Sequence, residues 1–408
     1  MGRRRVVVTG MGVISALGRN AQEFWEALSN GRSGIAPIQG VDMTGFRFRN
    51  GAEVRNYDQS AHFAGKEVDF LDRFAQFAVI SAREALRDSG LHLTADLCER
   101  AAIVTGSCVG GKATEDEGFL NVYMLKKPRV NPLTIPRSMG NAGASYISLE
   151  TGITGPTFTV STACSSSNHA LGQAFWMVRD GVADAALAGG SEAPFSYGNL
   201  RAWEAMRGVV SPDTCRPFSK DRRGMILGEG GAMLVLEPLD AALARGARIR
   251  AEIVGFGMSS DAHHITQPSN EGPARAIRAA LRDAGIEPAQ VGYVNAHGTA
   301  TPTNDSTEIC ALRAALGPSA ERVAISSTKS MHGHALGAAG AIEAVATVLA
   351  LDRRMLPPTA NFTEPDPQCD LDVIPNTPRA AEVDYAISNS FAFGGLNAVV
   401  AFRRWNGA

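Results

Sequence analysis

The chain has 408 residues, 45% of them hydrophobic and 20% charged, which is enough apolar material for a large core and excludes a mainly disordered chain. Lys and Arg number 39 against 41 Asp and Glu, giving a formal net charge of -2. No global basic field is available to hold nucleic acid or an anionic membrane, so neither is expected as a partner.

The start is basic (Arg3, Arg4, Arg5) and then apolar from Val6 to Val8, but the run stops at Thr9-Gly10, too short for a secretory signal. The six cysteines (Cys98, Cys108, Cys164, Cys215, Cys310, Cys369) are irregularly spaced and form no C-x-x-C pair, which argues against a disulfide framework. The longest uncharged stretch, Thr151 to Val178, is rich in Thr, Ser, Gly and Asn and contains Pro156. It makes a poor membrane span and is expected to be buried interior. A cytoplasmic location follows as the default expectation.

Strand-like segments in the first part are Arg5 to Thr9, Ala101 to Thr105, Thr157 to Ser161, Ala185 to Ala188 and Gly231 to Leu236. Those in the second are Arg250 to Met258, Val291 to Asn295, Val323 to Ser326, Tyr385 to Ser388 and Asn397 to Phe402. Several are unbroken apolar runs, as strands covered on both faces are. Between them lie helical periods, one through Phe70, Leu71, Phe74, Phe77, Ala78 and Leu86, another through Ala276, Ile277, Ala280 and Leu281 that ends at Gly285. Two similar α/β halves are predicted, residues 1–245 and 246–408, joined through Leu239 to Arg250. The proline-rich stretch from Pro357 to Pro378 is predicted to be an irregular surface excursion.

Gly10-Met11-Gly12 after the first strand has the look of a dinucleotide turn, but Ser15 stands where the third glycine belongs and no acid follows at ribose distance. Cys164 lies between a strand and a long uncharged helix predicted from Ser165 to Val178. A helix N-terminus there favours thiolate and offers N–H groups to an oxyanion. A small buried core cysteine is the alternative, against which the polar neighbours Ser161, Thr162, Ser165, Ser166, Ser167 and Asn168 weigh.

His297 ends a strand and is followed by Gly298, Thr299 and Thr301, which suits either a ligand-binding strand end or a capped turn. Lys329, His332 and His334 follow another strand and precede a small-residue helix whose one acid, Glu343, needs a partner such as Lys329. A metal at His332 and His334 is disfavoured, since no Cys or carboxylate stands beside them at ligand spacing. Phe391, Phe393, Gly394 and Gly395 lie between two strands and predict a hairpin. Its backbone either approaches a site, with Phe393 supplying an N–H, or closes a buried aromatic turn. A thiol, two imidazoles, a Lys–Glu pair and a backbone donor together suit acyl transfer on thioesters.

These residues carry a resemblance. Thr162-Ala163-Cys164-Ser165-Ser166, Asn295-Ala296-His297-Gly298-Thr299-Ala300-Thr301-Pro302, Ser327-Thr328-Lys329-Ser330 with Gly333-His334, and Asn389-Ser390-Phe391 with Phe393-Gly394-Gly395 resemble the 3-oxoacyl-[acyl-carrier-protein] synthases, most closely the type II elongating condensing enzymes. The resemblance extends over nearly the whole chain and includes Arg216-Pro217-Phe218 and Gly228-Glu229-Gly230.

It implies a thiolase fold, two five-stranded sheets in a five-layered α-β-α-β-α arrangement, usually as a homodimer. It implies decarboxylative condensation of an acyl thioester with malonyl-acyl carrier protein in fatty acid elongation. Cys164 would be the nucleophile and His297 and His334 the enolate donors, with Lys329 and Glu343 organising the site. The N–H groups of Cys164 and Phe393 would form the oxyanion hole beside Gly394. Thr299 and Thr301 would hold the pantetheine arm, and Val109, Phe391 and Phe393 would shape and gate the acyl pocket. Substrates would arrive on the phosphopantetheine of acyl carrier protein, docked on Lys126, Lys127, Arg129 and Arg207, with no metal or other cofactor.

The sequence departs from the family pattern at Ala392, Leu396, His332 and Cys108, and Ala392 is expected to stiffen the gating loop. These departures keep open a specialised polyketide or modified-lipid ketosynthase with the same chemistry. A non-catalytic chain-length subunit is disfavoured because Cys164 is present.

Overall fold

The computed structural model describes residues 2–407. Ten strands form the main sheet: β1 (Val6–Ser15), β2 (Ala101–Gly106), β3 (Thr157–Val160), β4 (Ala185–Glu192), β5 (Gly230–Pro238), β6 (Ala251–Ser260), β7 (Val291–Asn295), β8 (Ala324–Ser326), β9 (Tyr385–Ala392) and β10 (Leu396–Arg404). Their order is β8-β7-β9-β10-β6-β1-β5-β4-β2-β3, so each half of the chain supplies five adjacent strands. The halves join where Val6, Val7 and Val8 of β1 pair antiparallel with Ile253, Glu252 and Ala251 of β6. The two five-stranded sheets are therefore continuous through a three-residue seam.

The apolar runs of the sequence explain the layers. β1, β4 and β5 are buried along their whole length, which requires cover on both faces. Helix α1 (Arg73–Ser89) packs outside β1 and β5, capped by Asp72, whose side chain accepts from the Phe74 N–H, and ended by Gly90 in the left-handed region. Helices α2 (Ser166–Arg179) and α5 (Ala339–Arg353), the latter built from Ala and Gly at its start, fill the middle layer between the sheets. On the far side α3 (Glu271–Ala284) covers β6 and β10, with α4 (Pro302–Leu316) beside it. The result is the α-β-α-β-α stack.

Several local expectations change. β1 runs on through Gly10-Met11-Gly12, so no dinucleotide turn exists there. Those glycines serve packing: a Cβ at Gly10 would lie 2.2 Å from the Ala85 carbonyl oxygen of α1, and one at Gly12 2.1 Å from that of Ser81. Phe70 is exposed and precedes α1 rather than belonging to its apolar face. The Pro357–Pro378 stretch is not wholly superficial. Pro357 to Ala360 and Ile374 are buried, with Thr359 Oγ1 donating to the Val373 carbonyl and accepting from the Ser327 N–H.

Candidate active site

The nucleophile candidate sits where β3 feeds into α2. Ala163 adopts φ +51, unusual for a residue with a side chain, in a single turn of 3-10 helix, Ala163–Ser165, that precedes α2. Ser165 and Ser166 hold the turn by donating to the carbonyls of Thr162 and Ala163 at 2.8 and 2.7 Å. This exposes Cys164 Sγ to a cavity lined also by His297, Thr299, Thr301, His334, Phe391, Phe393 and Gly394. Residues up to 230 positions apart in sequence thus meet around one sulfur.

The thiol is not poised as the thiolate that the strand-to-helix position suggested. Burial pushes its pKa up to about 11, against the opposing pull of the Lys329 charge and of the Phe393 and Cys164 backbone N–H groups. Desolvation outweighs the local dipole, and the resting group is a neutral S–H. The same two N–H groups that face the sulfur are those expected to receive an oxyanion.

His297 follows β7. Its turn is held by buried carboxylates: Glu308 accepts from the His297 and Gly298 N–H groups at 2.8 and 2.7 Å, and Asp305 from the Ala300 N–H at 3.1 Å. Arg222, itself buried, donates to the Thr301 and Pro302 carbonyls from behind. Thr299 and Thr301 hydroxyls lie 2.9 Å apart on the cavity wall, and Thr301 also caps α4.

His334 hangs on a short bridge to the Ile226–Gly228 segment, its N–H donating to Ile226 at 2.7 Å and its carbonyl accepting from Gly228 at 2.9 Å. Its ring Nδ1 accepts from the Leu336 N–H at 3.3 Å. That fixes the proton on Nε2, which is buried and has no partner among the described residues. The two imidazole rings are 5.4 Å apart, nearly perpendicular, and Phe391 lies 6.0 Å from His297. Burial first, then the Lys329 charge, holds both rings well below the usual histidine range, so both are neutral near pH 7.

Lys329 and Glu343 pair directly and are wholly buried beneath the cavity rather than lining it. Burial raises Glu343 to about 7, with Lys329 pulling the other way. His332 points away from the cavity. Its Nε2 is 2.9 Å from Thr328 Oγ1, and burial pushes it down to about 3, so it is a neutral core histidine.

The β9–β10 hairpin tip forms one wall of the cavity. Gly394 and Gly395 take φ +84 and +71, whereas Ala392 ends β9 in register with Leu396. The left-handed turn falls on glycines, and Ala392 does not have to adopt it, so the positive φ that an alanine resists is not required at this position. The Gly394 N–H donates to the Ile265 carbonyl at 2.7 Å, and Phe393 stacks on Trp203 with ring centroids 6.5 Å apart. The loop 264–268, Trp203 and Met225 are also part of the lining, and sequence reasoning missed all three.

Val109 does not line this cavity. It lies with Cys108, Gly110, Thr159 and Ser161 on a separate cleft. Lys126, Lys127 and Arg129 are exposed on one loop. Arg207 is exposed elsewhere, in a surface cleft with Arg47, Arg223 and Trp203. Trp203 therefore borders both that basic cleft and the cavity.

Comparison with known proteins matches the family described as "Beta-ketoacyl synthase, N-terminal domain" over residues 3–242 and "Beta-ketoacyl synthase, C-terminal domain" over residues 250–363. Nodulation protein E of Rhizobium sp. (strain N33) is 46% identical over 98% of this chain and 99% of its own. A 3-oxoacyl-[acyl-carrier-protein] synthase 2 of Synechocystis sp. is 43% identical over 99% of each chain. Among solved structures, the ishigamide ketosynthase/chain length factor superposes with a TM-score of 0.94 at 39% identity, covering 99% of this chain and 100% of that one.

Proposed function

The chain belongs to the beta-ketoacyl synthase family and is a condensing acyltransferase, and on that premise we propose how its residues divide the work. An acyl thioester on carrier protein enters past the hairpin tip. The Cys164 sulfur attacks its carbonyl, and the developing oxyanion is received by the N–H groups of Cys164 and Phe393. The tetrahedral intermediate collapses, the pantetheine sulfur leaves with the proton that Cys164 gives up, and an acyl-enzyme remains. A neutral resting thiol suits this exchange, because the net charge of the buried site is unchanged across it.

Malonyl-carrier protein then binds, its pantetheine arm along Thr299 and Thr301. Loss of CO2 leaves an enolate whose oxygen accepts hydrogen bonds from His297 and from the fixed His334 Nε2–H. Neutral imidazoles stabilise that charge as it forms and hold none beforehand. The enolate carbon attacks the acyl carbonyl and Cys164 departs as a thiolate, giving 3-oxoacyl-carrier protein, and one proton taken up from solvent restores the neutral thiol. Lys329 and Glu343 act through the imidazoles and do not touch substrate. The observation that carries this reading is the meeting of Cys164, His297 and His334 on one cavity.

The reaction serves fatty acid elongation. A specialised polyketide or modified-lipid ketosynthase with the same mechanism is the second reading, favoured by the 33% identity and TM-score of 0.90 to the ketosynthase of a type II PKS. The two are separated by loading the purified enzyme with a ladder of carrier-bound acyl chains, read by intact mass. Broad loading over saturated chains is expected for elongation, and a narrow preference for one unusual primer would support the second reading.

Acyl carrier protein is an acidic partner, and Arg207, Arg223 and Arg47, the last paired with Glu204, line a cleft that shares Trp203 with the cavity. Reversing Arg207 and Arg223 to Glu is expected to raise KM for carrier-bound substrate about tenfold, less at high salt, and to leave a small thioester unaffected. An equal loss with both substrates would remove the cleft from docking. Lys126, Lys127 and Arg129 are a second basic group that the same assay tests.

The working unit is proposed to be a homodimer in the cytoplasm, with no metal or organic cofactor in the chemistry. Phe119, Tyr123, Met124, Leu125 and Ile135 are all more than half exposed on one segment, and β3 leaves an unpaired edge at the end of the sheet. Light scattering is expected to give twice the chain mass of 43.0 kDa, and a monomer at micromolar concentration would contradict the proposal.

A further inference from the structure

Glu192, the last residue of β4, is fully buried, yet among the described residues no cation is a hydrogen-bond partner. Four donors from two separate loops converge on it instead. Oε1 accepts from Ser107 Oγ at 3.0 Å and from the Val109 N–H at 3.2 Å, while Oε2 accepts from the Cys108 N–H at 2.6 Å and the Gly337 N–H at 3.0 Å. Ser107 Oγ in turn accepts from the Gly110 N–H at 3.2 Å, so the whole Ser107–Gly110 turn hangs on this carboxylate. Gly337 stands three residues beyond His334 and one beyond Leu336, whose N–H fixes the His334 ring.

The joint is tight. A Cβ on Gly337 would lie 2.6 Å from Glu192 Oε2 and 2.4 Å from the Cys108 nitrogen, and one on Gly106 2.4 Å from the Ser167 nitrogen at the start of α2. Four donors saturate both oxygens and offset much of the desolvation of this carboxylate, though burial still raises its pKa to about 7.

We propose that Glu192 is a positioning residue for the condensation, one carboxylate that sets the cleft wall formed by Cys108 and Val109 against the turn that carries His334. It touches no substrate. Cys108 lies outside the cavity but packs with Leu336 in one apolar cluster that includes the cavity-lining Met225 and Val209, so Glu192 holds that side of the cavity and the imidazole that receives the enolate in one fixed relation. The inference rests on the condensing-enzyme reading and adds to it a residue that fixes chain-length preference.

The test is E192Q. A glutamine has nearly the same shape, but each oxygen of Glu192 collects two donors, so either amide orientation sets an NH2 against a backbone N–H that cannot turn away. Acylation of Cys164 is measured by intact mass over a ladder of acyl chain lengths, alongside kcat and KM for condensation. E192Q is expected to change the long-to-short-chain acylation ratio on the order of tenfold, since small misplacements at a reacting centre are costly. Ser107→Ala, which removes one of the four donors, gives a smaller shift in the same direction should E192Q fold poorly. E192D, which keeps the charge, recovers part of the wild-type ratio.

The control is E237Q, a buried carboxylate on β5 held by Thr9 and Arg245 away from the cavity, which loses stability but keeps the ratio. An unchanged ratio in both E192Q and Ser107→Ala, or an equal shift in E237Q, overturns the proposal. Failure of the wild-type chain to load any primer would defeat the condensing-enzyme reading itself, an outcome distinct from an unchanged ratio in the variants.

Discussion

Cys164→Ala is expected to abolish acyl-enzyme formation, with no acyl adduct detectable under conditions that load the wild-type chain completely. Five other cysteines are present, but Cys215 and Cys369 are buried away from the cavity, and Cys98, Cys108 and Cys310 lie outside its lining. Only Cys164 has two backbone N–H groups facing its sulfur and two imidazoles across the same space. Since burial raises this thiol to about 11, simple alkylation of the resting enzyme should be slow at pH 7 and accelerate as the pH rises toward that value. Reaction with a thioester does not wait for a free thiolate, because proton and sulfur exchange within the site.

Much of this was legible in the sequence because the chemistry sits at strand ends. Cys164, His297, Lys329 and Phe391 each follow or end an apolar run, and α/β folds gather such ends on one side. What escaped has physical reasons. The thiolate expectation failed because a helix start is visible locally, whereas the depth of burial is set by chains far away. Glu192 and Glu308 look like ordinary charges beside a strand and within a helix. Only folding shows that each collects backbone N–H groups from a neighbouring loop. The loop 264–268 carries no compositional mark of a lid, and Trp203 is an unremarked aromatic until Phe393 is stacked on it. Val109 was placed at the gate by resemblance and lies on another cleft.

His297→Ala and His334→Ala should separate the two half-reactions. Each variant is expected to accept an acyl group from a thioester, because acyl transfer draws on Cys164 and its N–H donors. Each should then lose about 100- to 1000-fold in condensation, the usual cost of removing one oriented donor to a developing oxyanion. The loss should fall on kcat, since the donors are worth most in the transition state. With both imidazoles held well below the usual histidine range, their neutrality persists through mildly acidic pH. The wild-type rate should therefore show no limb near pH 6.5 from either ring. A His334→Gln variant, whose amide restores an N–H donor, should recover part of the rate.

The most direct measurement follows one acyl group through the site by intact-protein mass. Wild-type enzyme is loaded with a carrier-bound acyl chain, the modified peptide is mapped, and malonyl-carrier protein is then added. The mass of one acyl group should appear on Cys164 and vanish as 3-oxoacyl product forms, while His297→Ala and His334→Ala load and stay loaded. An adduct that persists on Cys164→Ala, or loaded histidine variants that discharge at the wild-type rate, would contradict the assignment of one shared site to the sulfur and the two rings.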